Sequence, residues 1–198
     1  MQIQKKLDQA VKKWNLLKNP FYEAWSAGTL PKVALQSYAS EYGNFLELLT
    51  MGWNILNDTD TAQEELEHAE MWVDFAESIQ TDSISPQLSA TQELVVKAKK
   101  MFARKDTALG ALYAFEIQQP QTAKSKLSGL QKYYTHLHAD EKYFEVHSHN
   151  EHESIKLLKM MEKLSDSEKQ NAYKACAEMS KALWDTLSAI HEQTCAKM

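Results

Sequence analysis

Five glycines and four prolines are all the backbone punctuation in this chain of 198 residues. An all-β chain needs a tight turn roughly every 10 residues, built from these residue types. The supply is too small, and no stretch alternates apolar and polar residues long enough to suggest a sheet. From Val33 to about Leu56 the apolar positions Leu35, Tyr38, Tyr42, Phe45, Leu48 and Leu49 recur at helical spacing. The expectation is an all-α fold, and the length suits one core, so residues 1–198 read as a single domain.

The same punctuation divides the chain into seven or so helices. Breaks fall at Asn19-Pro20, at Gly28 to Pro31, at NDTDT (57–61) and at QTDSISP (80–86). Capping boxes are expected at Thr61-x-x-Glu64, Ser89-x-x-Gln92 and Ser165-x-x-Glu168.

Charge and composition exclude several function classes. A net charge of −5 with a single arginine, Arg104, argues against nucleic-acid binding, which shows a basic stripe. No apolar run approaches the roughly 18 residues of a membrane span. The amphipathic opening MQIQKKLDQAVKKWNLL lacks a signal-peptide pattern, so the cytoplasm is the expected compartment. Cys176 and Cys195, if on one helix, lie about 28 Å apart and stay reduced. There is no nucleophile elbow, phosphate loop, dinucleotide fingerprint or zinc cysteine pair.

Three stretches carry candidate chemistry. In EELEHAEMW (64–72), either Glu64 or Glu65 shares a helix face with His68, the carboxylate–imidazole unit that helical bundles use for iron. Glu64 is also available as the Thr61 capping partner, which favours Glu65 as ligand. In YAFEIQQP (113–120), Glu116 interrupts an apolar run. Burying its carboxylate is costly unless it meets a metal or a lysine, and Pro120 should kink the chain there. In YFEVHSHNEHES (143–154), read as one helix, Tyr143, His147, Glu151 and Ser154 share a face, whereas His149, His152 and Glu153 point elsewhere.

Taken together, these fragments resemble the heme-oxygenase-like TenA/PqqC superfamily. YAFEIQQP with Lys126 and Gly129-Leu130 is similar to its Y-x-Y-E-x-Q-x-P…K…G-L segment. NPFYEAWSAGTL, LQSYASEYGNF, HAEMWVDFA and YFEVHSHNE resemble segments of its iron-containing redox branch, typified by the chlamydial death-domain-associating (CADD-like) proteins. The resemblance spans about residues 18–158. It implies a bundle of about seven helices around a central pocket, with one or two non-heme irons held by residues from three helices. Carried over residue by residue, the metal ligands are His68, Glu116, His147 and Glu151, with Glu65 (or Glu64) substituting for a glutamate expected at Thr61. Tyr143, Lys126 and Tyr22 become candidate catalytic residues, and Tyr38 and Phe115 line the pocket. Ser154 stands where the family carries a further histidine, and Asn19 where a histidine often precedes Pro-Phe-Tyr.

The implied function is an O2-dependent oxidase or oxygenase acting on a small molecule, with no nucleic-acid or membrane partner and room for a homodimer. Two alternatives remain at this level. A degenerate scaffold serving as an interaction protein would need Glu116 paired with a protein cation. A TenA-like thiamine-related hydrolase would need a pocket cysteine, and both cysteines fall in the last 25 residues or so.

Overall fold

The computed structural model describes residues 2–82, 86–149 and 152–195. It is helical throughout its regular structure: α1 (Gln2–Lys13), α2 (Pro20–Ala27), α3 (Lys32–Leu46), α4 (Leu49–Ile55), α5 (Thr59–Ser78), α6 (Ser89–Met101), α7 (Lys105–Glu116), α8 (Gln119–Tyr133), α9 (Lys142–His147), α10 (His152–Glu162) and α11 (Asp166–Cys195), with short 3-10 turns before α2 and after α8. Among the described residues there is no strand. Among the described residues no helix is long and apolar enough to cross a membrane.

The segments outnumber the seven or so expected helices because three long apolar stretches are broken. Leu46 to Leu49 turns between α3 and α4. Pro120 lacks an N–H and sits in the first turn of α8, so the expected kink is a full interruption after Glu116. Gln118 repairs part of that break. Its amide donates to the Ala114 carbonyl (3.0 Å) and its side-chain oxygen accepts from the Leu16 N–H (2.9 Å). The third break separates α9 from α10, so YFEVHSHNEHES is two helices rather than one.

Helix starts follow local chemistry where the partner is near in sequence. The Asn19 side chain accepts from the Phe21 N–H, and Pro20 opens α2. Ser165 and Glu168 exchange hydrogen bonds as a capping box. The other two boxes do not form. Asp58 caps α5, accepting from the Thr61 N–H at 3.3 Å, which places Thr61 inside the helix. At α6 the buried Glu41 carboxylate, reaching from α3, accepts from the Gln87 and Leu88 N–H groups.

The 30-residue α11 is the spine, packing along α7 and against α1, α3 and α6. Gly110 makes the α7 contact close: a Cβ there would lie 1.8 Å from the Ala172 carbonyl oxygen. Cys176 and Cys195 both lie on α11 as free thiols. On the other side of α7, helices α2, α3, α5, α8 and α9 surround a core of stacked rings, with Trp25, Tyr38, Trp72, Phe75, Tyr143 and Phe144 fully or almost fully buried. Into this aromatic core the chain also places carboxylates, imidazoles and one lysine.

Candidate metal centre

One face of α5 is buried at Thr61, Glu65, His68, Trp72 and Phe75, at spacings of three and four. The Trp72 indole donates to the Ala39 carbonyl (2.9 Å), which pins this face to α3. Glu64 is exposed and Glu65 is 4% exposed, so the choice between them falls to Glu65. Glu65 Oε2 lies 3.7 Å from His68 Nδ1, an ion-pair distance rather than a hydrogen bond, and His68 Nδ1 has no hydrogen-bond partner.

Glu116 ends α7 with its side chain buried and Oε1 without a hydrogen-bond partner. Among the described residues no lysine, arginine or histidine nitrogen comes within 4.0 Å of it. It also sits at the negative end of the helix dipole, which opposes a carboxylate further. Burial first, then the neighbouring charges of Glu65 and Glu153, drive its pKa well above the ordinary glutamate value. Such a group is stable in two forms, protonated or bound to a cation.

His147, at the end of α9, is 3% exposed. Its Nδ1 lies 2.6 Å from the Tyr143 carbonyl oxygen. A carbonyl only accepts, so Nδ1 carries the proton and Nε2 holds the free lone pair. This is how proteins orient a metal-binding imidazole. The ring stacks on Tyr143 (4.1 Å between centroids) and meets His68 edge-on at 4.3 Å. Burial, helped by His68, lowers its pKa to about 3, so the ring is neutral at physiological pH. For His68, burial pulls the pKa down, but Glu65, Glu153 and Glu64 raise it on balance. Glu65 is raised chiefly by burial, opposed by His68.

Two imidazoles and the unpaired carboxylate oxygen of Glu116, with Glu65 beside them, fit a non-heme iron by donor chemistry. Glu65, His68, Glu116 and His147 would hold it. The predicted ligand Glu151 lies outside the described residues. Glu153, expected to point elsewhere, is instead 3% exposed and adds to the charge felt by Glu65, His68 and Glu116. The break after α9 resets the helical phase and turns it inward. The signal for this was the spacing of Glu153 with Leu157 and Met161, all buried on one face of α10. His149 and His152 are exposed, as expected, and Ser154 is buried.

A second buried polar cluster adjoins this centre. Lys126 Nζ donates to the Tyr38 hydroxyl (2.9 Å) and lies 3.5 Å from that of Tyr22, and the two hydroxyls are 3.0 Å apart. The rings of Tyr22, Tyr38 and Phe144 face the ammonium at 5.2–5.4 Å. Burial lowers the Lys126 pKa to about 7. Tyr143 bridges the clusters. Its hydroxyl accepts from Gln119 (2.7 Å), and Trp72 touches both Tyr143 and Tyr38. Gln119 was not anticipated from sequence. Phe115 packs edge-on to Phe45 in the core.

Comparison with known proteins bears on the family and the fold. A family model described as iron-containing redox enzyme matches residues 52–185. Among curated relatives, the 4-aminobenzoate synthase of Nitrosomonas europaea is 29% identical, covering 99% of this chain and 94% of that protein. The 4-aminobenzoate synthase of Chlamydia pneumoniae is 28% identical over 95% of this chain and 94% of its own length. Among solved structures, a TenA homologue from P. horikoshii superposes with a TM-score of 0.70 at 17% identity, covering 96% of each chain. A CADD-like protein from Nostoc punctiforme gives 0.65 at 19% identity, covering 98% of this chain and 97% of that one. The structural matches establish the heme-oxygenase-like fold.

Proposed function

The chain belongs to the iron-containing redox enzyme family, and we propose that it is a non-heme iron, O2-dependent oxidase or oxygenase whose product, like that of its curated relatives by name, is 4-aminobenzoate. The observation that carries this reading is Glu116, a buried carboxylate with an unpaired oxygen, no cation within 4.0 Å among the described residues, and the charge of Glu65 acting on it.

Iron bound by these residues would supply O2 activation and redox chemistry. The chain's own contributions are legible around it. His147 is held neutral and oriented by the Tyr143 carbonyl, with Nε2 free to ligate. Tyr143 accepts a hydrogen bond from Gln119, so its own phenolic proton is free to point away from the amide. Lys126, with a pKa near 7, takes up or releases a proton at Nζ at neutral pH, screened from bulk water by its aromatic cage. The wall of rings excludes water and favours a small aromatic molecule over a highly charged one.

The hydrolase alternative needs a pocket thiol. Cys176 is buried on α11, beside the Leu7 carbonyl, with its pKa pushed up to about 12 by burial, and Cys195 lies near the end of the same helix. Neither belongs to the cluster around Lys126 and the metal centre. The interaction-scaffold alternative needs a cation on Glu116, and none among the described residues supplies one. The test is anaerobic loading with Fe(II), exposure to O2 and chromatography for 4-aminobenzoate. Iron-dependent product formation is expected. Iron and O2 consumption without 4-aminobenzoate would retain the redox reading and discard the product.

A further inference from the structure

We propose that the cleft formed by the end of α6, the start of α7 and the first half of α11 binds a small carboxylate with a one-ring apolar body. The site lies away from the metal centre, and the proposal stands whether or not that centre holds iron.

The rim of the cleft concentrates positive charge. Lys97 and Lys100 reach it from α6, Arg104 from the turn before α7, and Lys174 from α11. Glu178 is the single acid among the described lining residues. No carboxylate comes within 4.0 Å of Lys100 or Lys174 among the described residues, and Lys97 meets only the exposed Glu93, at 3.5 Å. The chain as a whole is at −5, so this cleft runs against the average. Other clefts balance their charges: Lys6 and Lys169 share one with Glu162 and Asp166, and Lys12 shares another with Asp8. A concave surface lined by one sign of charge gathers ions of the opposite sign.

One of these cations is held in place. Arg104 Nε and Nη2 donate to the two Asp106 oxygens at 3.2 and 2.8 Å. Asp106 is itself 5% exposed and also accepts from the Asn171 amide (2.9 Å) and the Thr107 N–H (3.0 Å). This buried carboxylate ties the first turn of α7 to α11. It fixes the guanidinium at the rim and leaves Nη1 outside the fork. A donor fixed in advance loses less freedom when an anion arrives.

The floor decides which anion fits. Met101 and Ala175, both buried, form it, and the methylene stems of the rim lysines add apolar surface. A bare inorganic ion would meet the rim and leave the floor wet. A carboxylate on a ring uses both. The cleft has a volume of about 240 Å3. A cavity of roughly 150 Å3 already holds benzene, so a ring with its carboxylate can be accommodated. Glu116 stands at the far end of α7, whose 12 residues span about 18 Å.

The test is calorimetric titration of the full chain with benzoate, before and after anaerobic loading with Fe(II). Benzoate should bind the metal-free chain, less tightly as salt is raised. Benzamide keeps the ring without the charge, and inorganic phosphate keeps charge without the ring. Each should bind at least about 10-fold more weakly. The double variant Lys100→Gln, Lys174→Gln should lose about fivefold or more in benzoate affinity. Lys12→Gln with Lys163→Gln removes the same charge from exposed positions elsewhere, and should stay within about twofold of wild type. No benzoate binding by wild type, equal affinity for benzamide or phosphate, or equal losses in the two double variants would overturn the proposal. Binding that appears only after Fe(II) loading would place the carboxylate on the metal and overturn it too. A chain that binds benzoate as described but retains no iron would overturn the functional reading and leave this site standing.

Discussion

Two polar clusters lie side by side in one aromatic core, and they are buried on opposite terms. Lys126 finds its partners within the protein: two tyrosine hydroxyls and three ring faces accommodate it, and its charge is relieved by giving up a proton near neutral pH. The carboxylate–imidazole cluster is not closed in this way. Glu116 Oε1 and His68 Nδ1 lack hydrogen-bond partners, and the nearby charges are mostly of one sign. A buried group that is satisfied internally stabilises or tunes, whereas a like-charged group left open calls for a cation from outside. Under the proposed function, the contrast separates the residues that would bind metal from those that shape the space beside it.

The largest expected effects fall on the open cluster. Glu116→Gln should reduce iron affinity by at least about 100-fold, more than an outer partner costs, and it should raise the melting temperature of the metal-free protein. The sign follows from linkage. The folded pKa of Glu116 lies above its unfolded value, so the native state binds the extra proton, and stability falls as pH rises above the unfolded pKa of 4.5. Glutamine removes that cost. Calorimetry with and without iron measures both halves, and a metal-free variant less stable than wild type at pH 8 would break the contrast.

The next effect sharpens the contrast from the other side. Lys126→Met should leave iron binding within about threefold of wild type and abolish product formation. The folded Lys126 pKa is about 7 against an ordinary 10.5, so the native state sheds a proton that the unfolded chain keeps. The burial cost is full below pH 7 and fades as pH rises to about 10.5. The variant should therefore gain most stability below pH 7 and nothing by pH 10.5, as melting curves across pH would record. Iron affinity itself should rise from pH 6 to pH 8, because Glu65, Glu116 and His68, all with raised pKa values, must lose protons to ligate.

The smallest effect concerns the bridge between the clusters. Gln119→Leu removes the donor to the Tyr143 hydroxyl and should cost about 1 kcal/mol of stability. It should lower turnover without changing iron stoichiometry.

How much of this was legible in the sequence depended on distance along the chain. The helical class followed from scarce glycine and proline, and the break at Asn19-Pro20 and the cap at Ser165 were read because their signals lie within three residues. The cap of α6 was not, since Glu41 reaches it from 46 residues away. Glu116 stood out as one charge in an apolar run, and His68 and His147 as imidazoles beside it in the resemblance. Glu153 was misplaced because helical phase was carried past residues 148 and 149, where α9 gives way to a turn. Lys156, Asp58 and Thr61 meet only through the packing of α10 on α5, which no local pattern encodes.

The central claim is that Glu65, His68, Glu116 and His147 hold iron. The most direct measurement is metal analysis of wild-type protein loaded anaerobically with Fe(II) and freed of unbound ion, beside His147→Ala treated identically. The account predicts about one or two irons retained per wild-type chain and none in the variant. Wild-type protein without iron, or equal retention in both, would contradict it.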